Sequence, residues 1–218
     1  MKNIMIYGDS NTWGYTPGTG VRYAPDVRWT GVCQKALGAE YKILEDGLNG
    51  RTTALEDFSN PWLNGSKNIG YSLIAQKPLD MIVLSLGTND LKFTGATGSG
   101  KGMDALLKQI MGFDVYYKGS TPVFPNGIKV LLVSPIQIHE NSAGQTPEYG
   151  RLLSHEESVK FPAVYAGIAK AYGIEVLDAS QFAQPSTVDN VHMGPESHHA
   201  LGLAIAEKIK EIFNKEEA

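Results

Sequence analysis

A single cysteine, Cys33, stands in this chain of 218 residues, which excludes an internal disulfide framework and fits a reducing compartment. Cys33 falls in a stretch of helical spacing and reads as a small buried hydrophobe rather than a reactive thiol. No apolar run approaches the roughly 18 residues that span a bilayer. The N-terminus passes through one lysine straight into an apolar segment, without the pattern of a secretory leader. No membrane association is expected, and a cytoplasmic location is. Long runs of one charge are missing too: the net charge is −4 with no basic cluster, which argues against a nucleic-acid partner. The histidines and carboxylates show no recurring metal-ligand spacing, so no metal is expected. Repeats, low-complexity tracts and a composition shift that would mark a linker are all absent, and residues 1–218 read as one domain. Gly95 to Gly102 imitates a phosphate-binding loop, but Gly102 occupies the place of the required Ser or Thr and no strand leads into it. A flexible loop is the better reading of Lys92 to Gly102, and nucleotide binding a distant one.

What is present is an alternation. Ile4 to Tyr7 is a short apolar run that suits a buried strand. Further strands are expected at Tyr41–Leu44, Asp80–Leu86, Ile128–Val133 and Ile174–Leu177, the third continuously apolar and hence central. Helices are expected over Arg28–Leu37, Ile69–Gln76, Met103–Met111 and His155–Tyr172, the last with a kink at Pro162. A final amphipathic helix is expected over Pro195–Asn214. Thr16 to Asp26 and Asp178 to Val191 read as loops, and Asn141 to Gly150 as an irregular segment. Five strands alternating with helices imply an α/β protein, a three-layer α/β/α sandwich around a mainly parallel sheet.

Chemistry-bearing residues sit where those strands end. Gly8-Asp9-Ser10-Asn11 breaks the first strand, and two readings fit. Ser10 or Asn11 can be an ordinary helix cap. Ser10 can also be a nucleophile at the carboxyl end of a strand, where open α/β sheets bind ligands. A serine needs a base, the base needs a carboxylate that fixes its tautomer, and the intermediate needs donors for its oxyanion. Among five histidines, His155, His198 and His199 lie in helical stretches, and His139 follows the fourth strand. His192 lies in the loop before the last helix, three residues after Asp189, which can reach its ring within one turn of chain; Asp178 is the rival acid. The candidate donors are the Ser10 N–H, the Gly50 N–H in a turn after the second strand, and the Asn89 amide after the third. Taken singly, Gly50 can be a turn residue and Asn89 a cap.

Together the blocks Gly8-Asp9-Ser10, Gly50, Gly87-Thr88-Asn89-Asp90 and Asp189-x-x-His192 resemble the SGNH hydrolases, the GDSL-type esterase and lipase superfamily. That family often has leucine where Asn11 stands. The stretches GDSNTWGY, RYAPDVRWTGV, EDGLNGRTT, LGTNDLK and VSP resemble most the bacterial arylesterases that also act as acyltransferases. The resemblance implies a flavodoxin-like fold without cofactor. It implies Ser10 as nucleophile, His192 as general acid and base, Asp189 as its orienting partner, and an oxyanion hole of Ser10, Gly50 and Asn89. Trp13 is the candidate to line the acyl or alcohol pocket, or else a core tryptophan. The expected reaction is ester hydrolysis through an acyl-enzyme, with acyl transfer to alcohols; carbohydrate O-acetyl removal is the main alternative, and a non-catalytic binding module a distant one. The branch also implies a homo-oligomer, with Thr16–Asp26, Lys92–Gly102 and Asn141–Gly150 as candidate contact segments.

Overall fold

The computed structural model describes residues 1–140, 149 and 154–215. Five strands form one sheet: β1 (Lys2–Gly8), β2 (Tyr41–Gly47), β3 (Met81–Ser85), β4 (Val130–Ser134) and β5 (Glu175–Asp178). Their spatial order is β2-β1-β3-β4-β5, and every neighbouring pair is parallel. The helices are α1 (Ser10–Trp13), α2 (Trp29–Leu37), α3 (Gly65–Gln76), α4 (Ala96–Met111), α5 (Phe113–Tyr116), α6 (Ser154–Ser158), α7 (Phe161–Tyr172) and α8 (Pro195–Asn214).

The period-2 alternation of a strand builds the layers. Ile4 and Ile6 of β1 face one core, with Met81 and Val83 of β3 and Leu131 and Val133 of β4; Trp29, Cys33, Leu201, Ile205 and Ile209 of α2 and α8 cover them. Met5 and Tyr7 face the opposite core with Ile82, Leu84 and Leu132, beneath α3, α4 and α7. A sheet apolar on both faces must be covered on both, as all-parallel sheets are, and the three-layer α/β/α expectation holds. Cys33 is fully buried, and burial pushes its thiol up to about 12, so it is packing material. Among the described residues no helix is long and apolar enough to cross a membrane.

Two local expectations fail. The glycine-rich run 95–102 is no loop: Thr88–Lys92 forms a 3₁₀ turn, and α4 is helical from Ala96. Glycine costs a helix about 1 kcal/mol relative to alanine, but close packing overrides that cost here. A Cβ at Gly100 would stand 2.6 Å from Val164 Cγ1 of α7, and one at Gly102 would stand 2.0 Å from Thr53 Oγ1. The helix expected over His155–Tyr172 is two helices, because Pro162 sits in the first turn of α7, where its missing N–H costs nothing, rather than at a kink. The segment Asn141–Gly150 lies outside the described residues except for Tyr149.

Because β1 is followed in space by β2 on one side and β3 on the other, the chain reverses direction across the sheet at β1/β3, which opens a crevice at the carboxyl ends of those strands. The layer opposite that of α4 depends on close approach: a Cβ at Gly202 of α8 would lie 2.6 Å from the Trp29 carbonyl and 2.7 Å from Val32 Cβ. Replacing Gly202 with alanine is therefore expected to push α2 from α8 and cost about 1–3 kcal/mol, read as a lower urea midpoint. An unchanged midpoint would contradict that packing.

Candidate active site

Asp9 caps α1, its carboxylate accepting the Asn11 N–H at 3.0 Å, and Ser10 is the first residue of the turn. Its Oγ lies 2.9 Å from His192 Nε2, and His192 Nδ1 lies 2.8 Å from Asp189 Oδ2. Asp189 Oδ1 accepts the backbone N–H groups of Val191 (3.1 Å) and His192 (2.9 Å), so the carboxylate is held by the loop that carries the ring. Half-burial acts to raise the Asp189 pKa. The His192 ring and those two N–H groups outweigh it and hold the carboxyl below its ordinary value. An ionised carboxylate on Nδ1 keeps the proton on that nitrogen and leaves Nε2 free to accept the Ser10 proton.

The other named groups line the same cavity of about 420 Å³, together with Ser10 and His192. Gly50 occupies the third position of the turn Leu48–Arg51 at φ 82°, a conformation that favours glycine. The turn is closed by the Arg51 N–H on the Leu48 carbonyl, not by the Gly50 N–H. Asn89 is 3% exposed; its Oδ1 accepts the Tyr149 hydroxyl at 2.9 Å, and its Nδ2 donates to the Arg51 carbonyl at 3.1 Å. A backbone carbonyl can only accept, so the Arg51 contact fixes which end of the amide is nitrogen.

Trp13 is the exception. It is not among the residues lining the cavity; the Arg22 guanidinium lies 5.3 Å from its ring, and the Arg22 Nε–H donates to its carbonyl. The turn ends at Gly14 in the left-handed conformation, and the chain doubles back so that Tyr15 takes the place at the site. The Tyr15 ring stacks on the His192 ring with centroids 4.2 Å apart and planes 28° apart. Tyr15, Tyr149 and Lys92 also line the cavity, and nothing in the local sequence marks Tyr149 or Lys92 for it. For Tyr15 the signal is Gly14, a glycine that turns the chain directly before it.

Arg51, too, carries no local mark of its place beneath the site. It is 5% exposed, its guanidinium lies 3.9 Å from the Tyr7 ring centroid, and it donates to the Gly8 carbonyl at 2.9 Å and to Asp46 Oδ1 at 2.7 Å. With its own carbonyl on Asn89, one side chain and its backbone tie the ends of β1 and β2 to the segment after β3.

A family model described as GDSL-like lipase/acylhydrolase matches residues 6–200. The chain belongs to that family. Among solved structures, this GDSL-family chain is similar to the aryl esterase of M. smegmatis, at 31% identity over 97% of this chain and 99% of that one, with a TM-score of 0.86. It is likewise similar to Est24, a carbohydrate acetylesterase from Sinorhizobium meliloti, at 30% identity over 97% and 100% of the two chains, with a TM-score of 0.89. No curated protein matches the chain. The GDSL-family protein is thus a carboxylic ester hydrolase with the SGNH hydrolase fold.

Two further carboxyls lie under the site. Burial pushes Asp9 from 3.8 up to about 6, and Asp90 up to about 7 although the Thr53 hydroxyl and N–H both donate to it. Both folded values exceed the unfolded one, so the stability these protons contribute is complete below about pH 4 and is lost as pH rises through 6 and 7. The melting temperature is expected to fall between pH 5 and pH 8, and Asp90→Asn to flatten that slope in a calorimetric series. A slope unchanged in the variant would contradict the assignment.

Proposed function

We propose that the protein is a serine esterase acting on short-chain acyl and aryl esters through Ser10, His192 and Asp189. The observation that carries this reading is the continuous contact from Ser10 Oγ through the imidazole to Asp189, at 2.9 and 2.8 Å. His192 Nε2 takes the Ser10 proton as Oγ attacks the ester carbonyl. The Ser10 N–H, the Gly50 N–H and Asn89 Nδ2–H hold the resulting oxyanion; the first has no partner inside the helix that it opens. His192 then returns the proton to the alkoxide as the alcohol leaves, and Ser10 carries the acyl group. In the second half, water or another alcohol gives a proton to His192 as its oxygen attacks the acyl carbon, and His192 passes that proton to Ser10 Oγ as the acyl–serine bond breaks, so hydrolysis and transfer differ only in the acceptor. No step calls for a metal or an organic cofactor.

A second reading, removal of acetyl groups from carbohydrate, is favoured by one observation. Among the described residues that line the cavity, Val188 is the sole aliphatic side chain; tyrosines, asparagines and Lys92 make up much of the rest. Such a lining offers hydrogen bonds to a hydroxylated alcohol and little to a long acyl chain. The relation to Est24 supports the same reading.

Ser10→Ala is expected to lower turnover of p-nitrophenyl acetate by at least about 10³-fold with the fold retained by circular dichroism. Retained turnover would mean that another residue is the nucleophile. Asn89→Ala is expected to lower kcat by about 10²–10³-fold, and an unaffected kcat would remove it from the oxyanion hole. Acetate should be turned over faster than octanoate, and activity confined to acetylated xylose would replace the first reading by the second.

A further inference from the structure

The loop that carries His192 is braced by backbone hydrogen bonds but needs a tie to the nucleophile. Asn190 sits at φ 63°, left-handed for a residue other than glycine, and its carbonyl accepts the His139 N–H at 3.0 Å. The Ser186 N–H donates to the His192 carbonyl at 2.7 Å, and the Asn190 N–H donates back to the Ser186 carbonyl at 2.8 Å. These bonds fix the loop to itself and to the segment after β4. They do not fix it relative to Ser10.

Asn11 does. Its Oδ1 accepts the Met193 N–H at 2.9 Å, and its Nδ2 stands 3.5 Å from the Val191 carbonyl, so the amide straddles the backbone on both sides of His192. Asn11 is itself held by Asp9, which accepts its N–H, and it directly follows Ser10. It is 8% exposed and Met193 is 1% exposed, so water is poorly placed to replace the bond. A side chain one residue from the nucleophile thus grips the main chain one residue from the base.

We infer that Asn11 is a positioning residue, which sets the distance and orientation of the His192 imidazole to Ser10 Oγ by holding the Met193 N–H. The inference rests on the reading of Ser10 and His192 as nucleophile and base. A displacement of about 1 Å between reacting groups can cost on the order of 10²-fold in rate. Leucine is close to asparagine in size but has no oxygen to accept the N–H, so Asn11→Leu removes the grip. Asn11→Asp keeps an oxygen for the Met193 N–H.

The test measures three things on the full chain, the Leu and Asp variants and Ser10→Ala: melting temperature, kcat and KM with p-nitrophenyl acetate, and the rate of labelling by a serine-directed phosphonate. Asn11→Leu should lower kcat and the labelling rate together by about 10- to 100-fold, with KM changed less than about twofold and the protein still folded. Asn11→Asp should recover most of the labelling rate. A Leu variant that labels as fast as the parent chain, or Leu and Asp variants equally slow, would overturn the inference. Activity in Ser10→Ala would instead overturn the reading beneath it, so the two failures are distinguishable.

Discussion

The contact between Ser10 and His192 joins residues 182 positions apart, and everything at the site is arranged around it. In the proposed mechanism neither partner acts alone: a serine hydroxyl at neutral pH is a weak nucleophile, and an imidazole at the wrong tautomer cannot relieve it of a proton. The sheet solves the problem by ending β1, β2 and β3 at one rim, and by bringing the loop after β5 back over that rim before α8 begins. Two cores of apolar side chains hold the rim in place from opposite faces.

The site also concentrates buried polar groups that the apolar layers alone would exclude. Arg51 lies within hydrogen-bond reach of the Gly8 carbonyl and Asp46, and its carbonyl holds Asn89. Asp90 lies beneath, bonded to Thr53, and Asp9 caps the turn that opens with Ser10. Burying such groups costs free energy unless they find partners, and the bonds they make run to the strand ends and segments around Ser10, Gly50 and Asn89. The polar network and the geometry of the site are one construction.

Much of this was legible in the sequence because the relevant signals are local. Short apolar runs mark the buried strands, Gly-Asp-Ser and Gly-Thr-Asn-Asp follow strand ends, and Asp-x-x-His lies in the loop before the last helix. Asp189 and His192 are joined by one turn of chain, so their pairing needs no tertiary information. What stayed hidden depends on packing. Gly98, Gly100 and Gly102 look like a loop until the neighbours that they admit, such as Val164 and Thr53, are in view. Pro162 looks like a kink until the preceding helix is found to have ended at Ser158. Trp13 and Tyr15 differ in role because Gly14 turns left-handed between them. The grip of Asn11 on Met193 spans 182 residues and leaves no mark in either local stretch.

The most direct test of the central claim is rapid-quench mass spectrometry of the protein during turnover of p-nitrophenyl acetate. The account predicts one acetyl group per chain, on the peptide containing Ser10, formed and lost at rates compatible with turnover. Turnover without any acetylated peptide, or with the acetyl group on a residue outside that peptide, would contradict it.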